Sequence, residues 1–231
     1  MDSIDVIKGP VSVLYGSAQD GGLLDQESKM PTARPLPEIG IEFGNYAHKQ
    51  ATVDLSGPIS GDDHYLYRFT GLVRKEDGQV QSTLNERIAI APAFTWRPDD
   101  RTTLTLLALY QHDPRSTSYG SVPPQGTTQP NPNGKLPSDF YDGDPNFESF
   151  NRSQESIGYK FERLLNDTWA VRMNGRYLHL SQDYKSVYGS GLEPDLRTLE
   201  RGTAVSSDTL NTVSVDNQLE GNFDTGAVSH A

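Results

Sequence analysis

Five histidines, His48, His64, His112, His179 and His230, are the first side chains of this 231-residue chain suited to acid–base or metal chemistry. They are scattered, with no H-x-x-x-H or H-E-x-x-H pair to set two imidazoles on one face. His112-Asp113 lies at the end of a candidate strand and reads as a solvated pair rather than a metal site. Phe140-Tyr141-Asp142-Gly143-Asp144 gathers oxygen donors around a glycine, as a calcium turn does, but lacks the D-x-D-x-D-G spacing and the later glutamate. The other carboxylates, such as Asp62-Asp63 and those from Asp139 to Asp144, sit in polar turns where solvated charge is the default, although spacing alone leaves a glycosidase pair open. No G-x-S-x-G elbow, Walker loop or dinucleotide fingerprint occurs. There is no cysteine, so disulfides and thiolate metal sites are excluded. None of these residues forms a recognisable set for catalysis or for a resident metal or cofactor.

The elements that position these residues must be strands. Twenty Lys and Arg face 31 Asp and Glu, a formal net charge of −11, and no basic cluster suits a nucleic acid. The longest apolar run, Leu104-Thr105-Leu106-Leu107-Ala108-Leu109-Tyr110, is far short of the roughly 20 residues of a spanning helix. A spanning strand needs only about 9–11 residues with alternate positions apolar, so a barrel is compatible with the low mean hydropathy. The N-terminus lacks the basic and apolar regions of a signal peptide, and Met1 reads as an internal residue of a longer protein.

Residues 87–97 alternate most clearly, with Ile88, Ile90, Phe94 and Trp96 on one face and Ala89, Ala91, Ala93 and Thr95 on the other. Trp96 falls where a barrel's aromatic girdle meets lipid headgroups. Residues 38–46, 50–59, 65–75, 102–111, 155–165, 168–182 and 211–223 complete a set of about eight strands, several joined by tight polar turns such as Arg97-Pro98-Asp99-Asp100-Arg101. Arg172, Asn174 and Arg176 form a polar row suited to a wet lumen. Two long polar tracts, 112–152 and 183–208, read as loops. A soluble β-sandwich that binds carbohydrate through loop aromatics shares this pattern, and it would bury the row Ile88, Ile90, Phe94 and Trp96 against a second sheet.

The opening residues narrow the choice. Ile4-Asp5-Val6-Ile7-Lys8-Gly9-Pro10, Ser12-Val13-Leu14-Tyr15-Gly16, Gly21-Gly22-Leu23 and the exit Ser28-Lys29-Met30-Pro31 closely resemble the end of the plug domain of TonB-dependent outer-membrane receptors. Tyr67-Arg68-Phe69-Thr70-Gly71-Leu72, the run from Ala89 to Asp100, Pro132-Asn133-Gly134-Lys135, Ser186-Val187-Tyr188-Gly189 and Ser214-Val215-Asp216 resemble the ferric-hydroxamate receptors of the ferrichrome type. The resemblance implies an all-β chain: the plug end at residues 1–35, then residues 36–231 as part of an antiparallel transmembrane β-barrel, about the first eight of 22 strands. It further implies location in the outer membrane and TonB-dependent transport of a ferric siderophore into the periplasm. Its partners are then the siderophore, outer-membrane lipid and inner-membrane TonB, whose box lies outside this chain; the iron is carried in the chelate rather than bound by side chains. A non-functional remnant of a receptor gene is the other alternative.

In that family two aromatic pairs from external loops line the ligand pocket, and the matching positions here are Tyr119 with Ser121 and Tyr188 with Ser190. The first tyrosine of each pair is kept and the second aromatic is serine in both, which removes two rings from the pocket and points to a chelate of different shape. The family's usual plug strand is also altered at Asp25-Gln26-Glu27-Ser28, weakening its alternation.

Overall fold

A computed structural model describes residues 2–9, 21–117, 122–226 and 228–230. The plug-like runs at Pro10 and from Ser12 to Gly16 lie outside the described residues. Strand β1 (Ile4–Lys8) pairs antiparallel with β2 (Gly22–Gln26) as a separate two-stranded sheet. The chain then enters one antiparallel sheet in which eight strands follow one another in sequence order: β3 (Leu36–Phe43), β4 (Lys49–Pro58), β5 (Tyr65–Asp77), β6 (Leu84–Asp99), β7 (Thr102–Asp113), β8 (Ser149–Leu164), β9 (Trp169–Leu192) and β10 (Leu199–Gly221). A small hairpin, β11 (Phe223–Thr225) with β12 (Val228–His230), follows.

The eight expected strands are all present, and alternation decides their faces. Ile88, Ile90 and Trp96 of β6 stand exposed on the outer face with Tyr65, Tyr67, Phe69 and Val73 of β5 beside them, while Ala93 and Thr95 are buried on the inner one. No second sheet covers this outer row among the described residues, which removes the sandwich alternative. From Ile88 to Trp96 the row runs about 26 Å at ~3.3 Å per residue, the height of a hydrocarbon band once strand tilt is counted. Tyr65 is directly opposite Trp96 and stacks on Phe94 with ring centroids 6.3 Å apart, and Trp169 stacks on Phe223 at 5.8 Å. These aromatics gather at the end of the sheet with the short turns 59–64, 100–101 and 165–168, as a headgroup girdle does.

At the opposite end the sequence expectation needs correction. Residues 183–208 are not a loop: β9 and β10 continue as a paired ladder to Leu192 and Leu199, closed by a turn at 193–198. Likewise β8 begins at Ser149, inside the first expected loop tract. These extensions mix polar and aromatic side chains without a continuous apolar row, so no clear periodicity marks them, yet β9 and β10 gain the same ladder bonds from each other as in the band.

A charge on the outer face at mid-band should cost far more than one at the girdle. Ile90→Lys is expected to lower stability by about 2–4 kcal/mol and Trp96→Lys by about 0–1 kcal/mol, measured as denaturant unfolding of the receptor containing this chain in lipid vesicles.

Candidate functional site

The inner face of the sheet and the segment entering it enclose a cleft of about 730 Å³, lined by Gln26 to Lys29 and by inner-row residues including Asp54, Arg87, Gln111, Arg152 and Arg176. Two buried carboxylates organise it. Asp54 on β4 is 6% exposed and takes the Arg68 guanidinium in a fork at 2.8 and 2.7 Å, with Lys29 Nζ at 2.6 Å. Arg68 also donates to the Met30 carbonyl at 2.9 Å, and Thr32 donates through both N and Oγ1 to Ser56 Oγ at 2.9 Å. The exit from the first hairpin is thereby tied to the wall through side chains that burial makes strong.

Asp113, 1% exposed at the end of β7, is held by Arg87 Nε at 2.7 Å, by Arg152 Nη2 at 2.7 Å and by Gln111 Nε2 at 3.1 Å. The expected solvated His112-Asp113 pair is therefore wrong: adjacent residues on a strand point to opposite faces, so His112 bonds Ser153 outside while Asp113 enters the lumen. Only the register, Asp113 opposite Arg152, reveals the ion triad. The row Arg172, Asn174 and Arg176 does face inward, with Arg176 on the cleft and Arg172 paired to Glu220.

Of the expected ligand-contacting residues, Tyr119 and Ser121 lie outside the described residues. Tyr188 and Ser190 lie on the part of β9 that projects beyond the apolar band, and both are exposed. The Tyr188 ring crosses its ladder partner Gly202, where a Cβ would come within 2.8 Å of ring atoms. Ser190 sits where the register shifts from Gly189 opposite Arg201 to Gly191 opposite Glu200, so it bulges from the ladder.

Beyond Lys185, β9 has lost β8 as its neighbour, and the loop before β8 replaces that strand with carboxylates. Glu148 Oε1 accepts from Val187 N at 3.0 Å and Asp142 Oδ2 from Gly189 N at 2.8 Å. Tyr141 Oη donates to Glu148 Oε2 at 2.5 Å, and burial together with that carboxylate holds the phenol well above its ordinary pKa. Arg201 Nη1 donates to the Gly143 carbonyl at 2.9 Å. Residues 140–144, expected to be a solvated polar turn, are instead docked on β9, and no group of three potential metal ligands occurs among the described residues. Asn131 and Asn133 bind the carbonyls of Leu196 and Asp195 at the β9–β10 tip, at 2.9 and 3.0 Å.

A profile of the "TonB dependent receptor-like, beta-barrel" family matches residues 95–231, more than half of the chain. The chain belongs to the TonB-dependent receptors. It is 39% identical to the ferrichrome outer membrane transporter/phage receptor of Escherichia coli and 34% identical to the ferrioxamine B receptor of Salmonella typhimurium, in each case over all of this chain and 33% of the relative. It thus spans about a third of the length of the curated relatives it matches. The ferric-catecholate import receptor Fiu of Escherichia coli superposes with a TM-score of 0.85 at 21% identity, covering 98% of this chain and 37% of that one, which shows the shared fold. This TonB-dependent receptor chain is an outer-membrane β-barrel segment, and the end of the sheet with the long loop and the β9–β10 tip is its external end.

Two outcomes follow from the docked loop. Asp142→Ala removes the acceptor that Asp142 Oδ2 offers the Gly189 amide; losing one such bond to a charged group costs about 1.5–3 kcal/mol, and amide hydrogen exchange at Gly189 should accelerate about tenfold or more. At the tip, bonds from the Thr198 hydroxyl and the Thr198 and Arg197 amides lower Asp195 to about 2. A carboxyl lowered on folding contributes stability that is complete above its ordinary value and lost as pH falls through the folded one. An NMR titration of the Asp195 carboxyl carbon should therefore show a midpoint at about 2, and one near the ordinary carboxylate value would mean that the tip is not capped in solution.

Proposed function

We propose that the receptor containing this chain imports a ferric siderophore of the hydroxamate type across the outer membrane, driven by TonB. The observation that carries the reading is that two relatives above 30% identity across the whole chain are receptors for ferrichrome and ferrioxamine B, both ferric hydroxamates. The inner wall suits the role: polar and charged residues line a wet lumen while the apolar row faces lipid. Residues 1–35 act as the end of the plug, and the bonds from Lys29, Met30 and Thr32 to the wall anchor it there.

Iron enters already chelated, so aromatic and polar contacts to the chelate suffice and no side chain ligates the metal. Tyr119 and Tyr188 contact the chelate from the external loops, with Ser121 and Ser190 leaving space beside them. The chain takes no catalytic part, and it has no nucleic-acid partner.

The test is uptake of radiolabelled iron by cells that lack their own hydroxamate receptors and express the complete gene encoding this chain. Ferrichrome or ferrioxamine B should deliver iron, and transport should vanish in a host without TonB. Uptake of neither, with the protein present in the outer membrane, would show a receptor for another ligand or a remnant that transports nothing.

A further inference from the structure

The inner wall at the external end holds more positive charge than its own packing needs. Asp113 would be neutralised by one guanidinium, yet Arg87 and Arg152 both bind it, so the triad has a net charge of +1. Each arginine uses Nε and Nη2 on that carboxylate. Among the described residues no acceptor bonds either Nη1, and the two side chains keep 31% and 30% of their surface exposed on the cleft. The carboxylate therefore presents two guanidinium edges at fixed positions, and a planar anion needs such an arrangement for charge-assisted bonds without ordering the side chains anew.

Aromatic surface adjoins this charge. Phe150 and Tyr184 are register partners on the same inner face, packed edge to face with centroids 5.9 Å apart, and the Arg152 guanidinium carbon lies 5.9 Å from the Phe150 ring. Tyr188 is four residues farther out on that face of β9, about 13 Å along the strand, with no register shift between it and Tyr184. A chelate held at Tyr188 that moves inward meets the two rings and then the two arginines.

We propose that Phe150, Tyr184 and the guanidinium groups of Arg87 and Arg152 form a second ligand-contacting wall that selects ferric hydroxamate chelates bearing a carboxylate. The proposal rests on the siderophore-uptake reading and adds its charge specificity. The rings contact the apolar arms of the chelate, and the paired Nη1 groups take the carboxylate. A pendant ammonium at the same place would face the positive triad and lose affinity.

The experiment compares two synthetic ferric trihydroxamates that differ only in a pendant carboxylate or amine, binding to the complete receptor in outer-membrane vesicles. A ratio of dissociation constants is the readout, because a misfolded fraction binds neither chelate and lowers capacity without moving the ratio. The wild type should prefer the carboxylate chelate about tenfold, and Arg87→Gln with Arg152→Gln should reduce the preference to about twofold or less. Phe150→Leu should weaken both chelates alike. Equal affinity of the wild type for the two, or a preference unchanged in the double variant, overturns the wall alone. Binding of neither to folded wild-type receptor overturns the uptake reading and this proposal with it.

Discussion

Every other feature of this chain depends on one constraint: in hydrocarbon there is no water to satisfy a backbone amide, so each strand must find its bonds in the next. Eight strands in sequence order meet that demand with the shortest connections available, and the alternation of apolar and polar side chains follows from having lipid on one face and a wet lumen on the other. The constraint persists above the membrane wherever the strand is buried. Val187 is 6% exposed and Gly189 is also buried, and where β8 no longer reaches their amides two carboxylates of the preceding loop accept from them instead. The loop that separates β7 from β8 in sequence thus completes the sheet in space.

Buried charge imposes a second condition on the inner wall, met in the same way at Asp54 and Asp113. Each carboxylate is enclosed by two cations, because a single unpaired charge at such a site costs about 3–5 kcal/mol. The origin of the cations differs. Both partners of Asp113 belong to the wall, so that triad is a fixed feature of the lumen. One partner of Asp54, Lys29, comes from the segment ahead of the sheet, so that triad joins two parts of the chain that share no backbone ladder. The first presents charge, and the second transmits position.

These differences explain what could be read from the residues. The period-two rows around Ile88 to Trp96 and Leu104 to Tyr110 decided the strands within the apolar band, since there one face must be greasy. Above the band neither face carries a continuous apolar row, so residues 183–208 looked like loop although β9 and β10 remain paired to Leu192 and Leu199. The spelling of the opening residues and of the barrel runs indicated the family, and a profile match over residues 95–231 agrees with it. The Asp113 triad was hidden because its members, 87, 113 and 152, lie on three strands and meet only through register. The carboxylates from Asp139 to Asp144 were read as solvated and Glu148 was not singled out, because a carboxylate that replaces a strand has no sequence signature.

The overall charge and the local charge point in opposite directions, and distance decides between them. A formal −11 spread over the chain repels an anion at long range, but at physiological salt that field decays within about 8 Å of the charges that make it. Near the external rim two carboxylates are held in ion pairs, where Glu86 meets Lys75 and Arg115 and Glu76 meets Arg74. Within the cleft, Arg87 and Arg152 stand at Asp113, whereas the carboxylates Glu27 and Glu38 belong to the entering segment and to β3, so the two arginines set the local sign at Asp113. Net charge therefore governs how the chain behaves in bulk, whereas the two arginines govern the local sign that an anionic group beside Asp113 meets.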